Sequence, residues 1–107
     1  MSQLPILDDA VSRLMGLDQE SAMALADIAQ ERVRQIEAEG WTPSHDDQHT
    51  DRQMARAAAC YAIGGAMMFW PWSEKWWKPK SPHRNAVRAG ALLIAELARM
   101  ARKAPRP

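Results

Sequence analysis

The sequence has a single cysteine, Cys60, so no disulfide can form within the chain and a stapled mini-fold is excluded. A reducing cytoplasm is the expected setting. Apolar runs are short, and none approaches the roughly 20 residues that a membrane-spanning helix needs. The opening stretch MSQLPILDDAV carries neither a basic lead nor a long apolar segment, so no signal peptide is expected. Net charge is nearly absent too, at +1, which gives no global attraction to a long nucleic acid. Any basic site must come from local clustering. Finally, no stretch alternates at period two, which leaves little room for a sheet.

What is present fits one small domain of 107 residues, 47% hydrophobic and 25% charged. Gly and Pro punctuate a series of helical segments. A first short helix is predicted over 5–15, ended by Gly16. Asp18 or Ser21 can cap a second, in which Leu25, Ile28, Ala29, Val33 and Ile36 follow helical spacing and Gly40 supplies the stop. Thr50-Asp51-Arg52-Gln53 has the pattern of a capping box, which predicts a loop over 40–50 and a third helix starting at Thr50 or Asp51. That helix should run to just before Pro71. Ser81-Pro82 opens a fourth, and the tail over about 102–107 reads as frayed. Small residues (Ala57, Ala58, Ala62, Ala86, Ala89, Gly90) point to close helix–helix contact. The predicted fold is all-α, a bundle of three to four helices with a long Trp-rich connector.

The segment GWTPSHDDQHTDRQ gathers His45, Asp46, Asp47, His49 and Asp51. Two readings stand open. In one, these groups organise turns and a helix start. In the other, His45/His49 and Asp47/Asp51, each pair four apart, join Glu31 of the second helix around a divalent ion. Glu31 lies beside Ile28 and Val33, at the expected edge of the bundle.

The connector FWPWSEKWWKPKSPHR holds four of the five Trp together with Lys75, Lys78, Lys80, His83 and Arg84. It is either a plug folded over the bundle or an anion site. In the second case Trp76 or Trp77 gives a stacking wall, and Lys78, Lys80, Arg84 and Arg88 surround the start of the fourth helix. A small nucleotide fits such a cluster better than a long nucleic acid.

Taken in order, ERVRQIEAEGW, HDDQHTD, ARAAACYA, WPW, WWKP and RAGALLIAE resemble a small family of proteins encoded by phages and prophages, over about residues 30–97. The resemblance implies a phage or prophage context, and so a host-cell setting, rather than a particular reaction. A further similarity is to the MazG-like all-α nucleoside triphosphate pyrophosphohydrolases. It implies a helical homodimer or higher oligomer and a Mg²⁺ or Mn²⁺ site, with Glu31 as first ligand and Asp47 and Asp51 as the second pair. Gln35 stands where that family has another carboxylate. His45 or His49 would then be ligand or general base in nucleotide hydrolysis. The alternatives are a non-catalytic protein that sequesters a nucleotide, and a protein-binding inhibitor of a host defence factor through its Trp surface.

Overall fold

The computed structural model describes residue 13, residues 16–64 and residues 68–103. The described residues contain helices and no strand, which is the all-α bundle expected. They form α1 (Gln19–Glu39), a single turn α2 (Pro43–Asp46), α3 (Gln53–Ile63) and α4 (Pro82–Lys103), with a 3₁₀ turn at Glu74–Trp76. The helix predicted over 5–15 lies outside the described residues, except that Arg13 is helical.

The ends of α1 follow local chemistry. Asp18 accepts from the Ser21 N–H at 3.0 Å, so it is the cap of the two candidates. Gly40 takes the left-handed conformation (φ 74°), and the Trp41 N–H then donates back to the Gln35 carbonyl at 3.0 Å. This six-residue closure stops the helix and fixes where Trp41 leaves it.

Between α1 and α3 the expectation needs correcting. Residues 40–50 are not all loop. Thr42 caps α2 by accepting from the His45 N–H at 3.3 Å, and Pro43 occupies the favoured first position. The capping box at Thr50 does not form, and α3 begins at Gln53. Arg52 is the reason. It turns left-handed (φ 60°), which breaks the helical path between Thr50 and Gln53. Gln53 still reaches back, but its side chain accepts from the Asp51 N–H at 2.7 Å. A left-handed non-glycine residue costs about 1–2 kcal/mol, and the bend lets the Arg52 guanidinium donate to Glu96 on α4 at 2.9 Å. The far end of α3 also falls short of Pro71. The chain leaves the helix at Gly64 (φ 81°), whose N–H donates to the Cys60 carbonyl.

Ser81 caps α4 as expected, accepting from the Arg84 N–H at 3.1 Å. The helix then runs unbroken to Lys103, so Arg102, placed in the frayed tail, is helical. Helices α1, α2 and α3 all pack on α4. The core joins Met54, Ala57, Ala58 and Tyr61 of α3 to Ala89, Leu92 and Ala95 of α4, and Trp41, Trp70, Trp72 and Trp77 pack against it. Between α1 and α4 the helices approach where Gly90 meets Ile28. A Cβ at Gly90 would lie 2.7 Å from Ile28 Cδ1.

One expected face is wrong. Leu25 and Val33 of α1 are exposed (38% and 50%), while the buried set is Ala22, Ala26, Glu31, Arg32 and Gln35. The inward side of the last two turns of α1 is therefore polar.

Candidate functional site

The polar end of α1, the turn α2 and the Trp connector enclose a cleft of about 580 Å³, within the usual range for small-ligand sites. A continuous row of rings runs along it. His45 stacks on Trp41 (6.4 Å between centroids, 6° between planes). His49 meets His45 edge-on at 5.0 Å, and Trp72 meets His49 at 5.4 Å. Trp70 stands edge-on to Trp72 at 5.3 Å and to Tyr61 at 5.6 Å. Each pairing uses the offset or edge-on geometry that the aromatic quadrupole favours. Trp76 lines the cleft as well and is the exposed indole of the connector, at 58%. Trp77 tilts over Tyr61 at 4.9 Å, packs on the core and is absent from the lining.

Arg32 and Gln35 project from α1 at a spacing of three, which places them on neighbouring surface. Arg32 donates to the buried carboxylate of Asp46, and that ion pair ties α1 to α2. Gln35 donates through Nε2 to Glu31 at 3.3 Å, which leaves its carbonyl oxygen facing elsewhere. Among the described residues, three buried polar atoms find no partner: Arg32 Nη1, Gln35 Oε1 and Arg88 Nε. All three residues line the cleft. An unpaired buried polar atom costs about 1–3 kcal/mol, and such atoms call for an explanation in a folded protein.

The charges around the cleft fall into satisfied and unsatisfied sets. Glu31, only 2% exposed, receives two hydrogen bonds from Arg34 (2.9 and 3.0 Å) and one from Arg84. Burial raises its pKa, but those bonds and the two positive charges outweigh burial and hold the carboxyl below its usual range. Arg34 also donates to Glu39 at 3.1 Å. His49 is depressed below the ordinary histidine value, first by burial and then by neighbouring His45, against an opposing pull from Asp46. Lys78 and Arg88 pair with no carboxylate among the described residues; Arg88 donates to the Lys78 carbonyl at 2.9 Å and lies 5.7 Å from the Tyr61 ring centre.

The residues expected at the site are thus divided. His45, His49, Trp76, Lys78, Arg88 and Glu31 come together along one cleft. Trp77, Lys80 and Arg84 do not line it. The Lys80 N–H donates to Asn85, and Arg84 is committed to Glu31 on the side of a separate hollow that it shares with Asp27 and His83. Nor is the α4 N-terminus at the cleft, since no residue from 81 to 84 lines it.

The donors assigned to Mg²⁺ or Mn²⁺ do not fit an ion in this arrangement. Glu31 is saturated by arginine, Asp47 is held by Arg102 at 2.8 Å, and Asp51 is a surface carboxylate 3.6 Å from Arg56. Among the described residues, no group of three His, Cys, Asp or Glu side chains could hold a metal. Glu31 is also not at the edge of the bundle, as its exposure shows.

Sequence reading missed Arg32, Gln35, Tyr61, Trp70 and Trp72 as lining groups. A signal existed for the first two. Past residue 30, α1 has only Val33 and Ile36 as large apolar residues before Gly40, so polar side chains had to fill part of its inward face.

The fold and cleft define a class: a small all-α bundle with a ring-lined, mixed-charge pocket at one side. Comparison with known proteins adds no relative to it, since no family model, no curated protein and no solved structure matches the chain.

Proposed function

We propose that the chain is a non-catalytic binder of a small nucleotide, held in the ring-lined cleft. One observation carries this reading: the lining combines a row of aromatic rings with three buried polar atoms that lack partners. A base stacks on such rings for about 1–3 kcal/mol per base. The two guanidinium N–H groups offer donors and the Gln35 carbonyl an acceptor, the complement of a base edge or a phosphate oxygen. The similarity to MazG-like hydrolases points to the same ligand class, but the saturated Glu31 removes its metal chemistry, so binding without turnover is the better account. In the phage and prophage setting implied by the sequence motifs, such a protein would sequester a host signalling nucleotide.

The protein-binding alternative has less support. Trp70, Trp72 and Trp77 pack on the core, which leaves Trp76 as the exposed indole of the connector. Self-association belongs to the proposal too. Leu93, Leu97 and Met100 are exposed at 45%, 64% and 37% along one side of α4, at the spacing of a helix–helix seam. Sedimentation at micromolar concentration should show a dimer, and monomer alone would remove this part.

Titration of a panel of nucleosides and nucleotides against intrinsic Trp fluorescence tests the binding reading, with mass spectrometry of the mixture. Saturable quenching with the ligand recovered intact is expected. Turnover of any nucleotide, or no response across the panel, would sink it.

A further inference from the structure

Resting on the proposed nucleotide cleft, the charge arrangement assigns its ligand class more narrowly. We propose that the cleft takes a nucleotide with a single phosphate, a monoester or a diester, and that Arg88 with Lys78 forms its phosphate subsite.

The lining of the cleft carries Arg32, Arg34, Lys78 and Arg88 against Glu31, Glu39 and Asp46. Arg32 belongs to Asp46, and Arg34 is shared by Glu31 and Glu39. Those guanidiniums are already neutralised, so among the described residues of the lining only Arg88 and Lys78 can meet an anion at full charge. The Arg88 guanidinium donates from Nη1 to the Lys78 backbone carbonyl at 2.9 Å, and the Lys78 ammonium lies 6.0 Å from the Trp76 ring centre, so both cations border the ring-lined wall. The same guanidinium keeps a buried Nε–H without a partner, which is a donor reserved for no other protein atom.

A second or third phosphate would meet no further free cation among the described residues, because the remaining charged groups of the lining are ion-paired with one another or with Arg84. One phosphate bearing one or two charges matches two free cations. The rings carry the base, with Gln35 and Arg32 at its edge, and the phosphate reaches the two cations that border Tyr61 and Trp76.

The test is calorimetric titration with the four ribonucleosides and their 5′-mono-, di- and triphosphates, with and without Mg²⁺, at two salt concentrations. The first phosphate should tighten binding about tenfold, the scale of one hydrogen-bonded charge pair. The second and third should add nothing or weaken it, with Mg²⁺ making no difference. Arg88→Gln and Lys78→Gln should each erase the advantage of the monophosphate over its nucleoside. Affinity that climbs stepwise to the triphosphate, tightening with Mg²⁺, or equal binding of nucleoside and monophosphate each overturns the single-phosphate subsite while leaving the cleft reading intact. An Arg88→Gln variant that lowers nucleoside and monophosphate affinity by the same factor would make Arg88 part of the wall rather than the phosphate contact, and likewise overturns it. If neither nucleosides nor nucleotides bind at all, the cleft reading fails and this inference falls with it.

Discussion

Replacing Glu31 with Gln separates a metal ligand from a structural carboxylate. The carboxylate is buried and receives three hydrogen bonds from two arginines. A hydrogen bond to a charged group contributes about 1.5–3 kcal/mol. Both arginine side chains are over a third exposed (38% and 37%), so water recovers much of what they lose. The discounted cost of Glu31→Gln is about 2 kcal/mol, dominated by the lost charge–charge hydrogen bonding at the buried end. For a chain of this length that lowers Tm by about 9 °C. The pH dependence has a definite sign. The carboxyl is depressed in the folded protein relative to its ordinary value of 4.5. Its stabilisation is therefore complete above that value and is lost as pH falls through the lower folded pKa. Thermal unfolding followed by circular dichroism should show the gap between wild type and variant widest at pH 7 and closing in acid. A variant with unchanged Tm at pH 7, or a gap that does not narrow in acid, would refute the assignment of Glu31 as an arginine-saturated structural group.

The remaining expectations concern the contacts that place the cleft. Asp46→Ala leaves Arg32 buried without its carboxylate and should cost about 3–5 kcal/mol in denaturant unfolding, whereas adding Arg32→Met should recover much of that loss. Gly90→Ala gains about 1 kcal/mol of helix propensity but overpacks Ile28 by about 1–3 kcal/mol, so it should destabilise, and in an Ile28→Ala background it should turn stabilising. Thr42→Ala should cost about 1 kcal/mol as a lost cap, while Thr50→Ala, which caps nothing, should stay within about 0.5 kcal/mol of wild type. His49 should titrate below the ordinary histidine range by NMR, and the stability it contributes should fall as pH drops below about 6.5.

The HDD segment shows how far local reading reaches. Taken residue by residue, it holds ring, charge and cap groups in alternation, and both a turn and a metal site were consistent with it. The structure gives each group a partner that sequence spacing could not name. Asp46 meets Arg32 from 14 residues away, Asp47 meets Arg102 from 55 residues away, and His45 and His49 join a row of tryptophans. The Trp connector was legible as a cluster in need of cover, but not which indole stays exposed.

The sequence by itself determined the helical class, a cap for α1 at Asp18 or Ser21, the stop at Gly40 and the start of α4 at Ser81-Pro82. Those depend on backbone preferences within a few residues, which no distant partner has to supply. Tertiary structure decided where α3 begins, because Arg52 adopts a costly left-handed turn from which it reaches Glu96 across 44 positions. It also decided the fate of Glu31, whose pairing with Arg84 spans 53 positions. Whether a carboxylate is a free ligand or a saturated ion-pair partner depends on which charges the packed helices bring within hydrogen-bond reach, and local spacing along the chain does not contain that information.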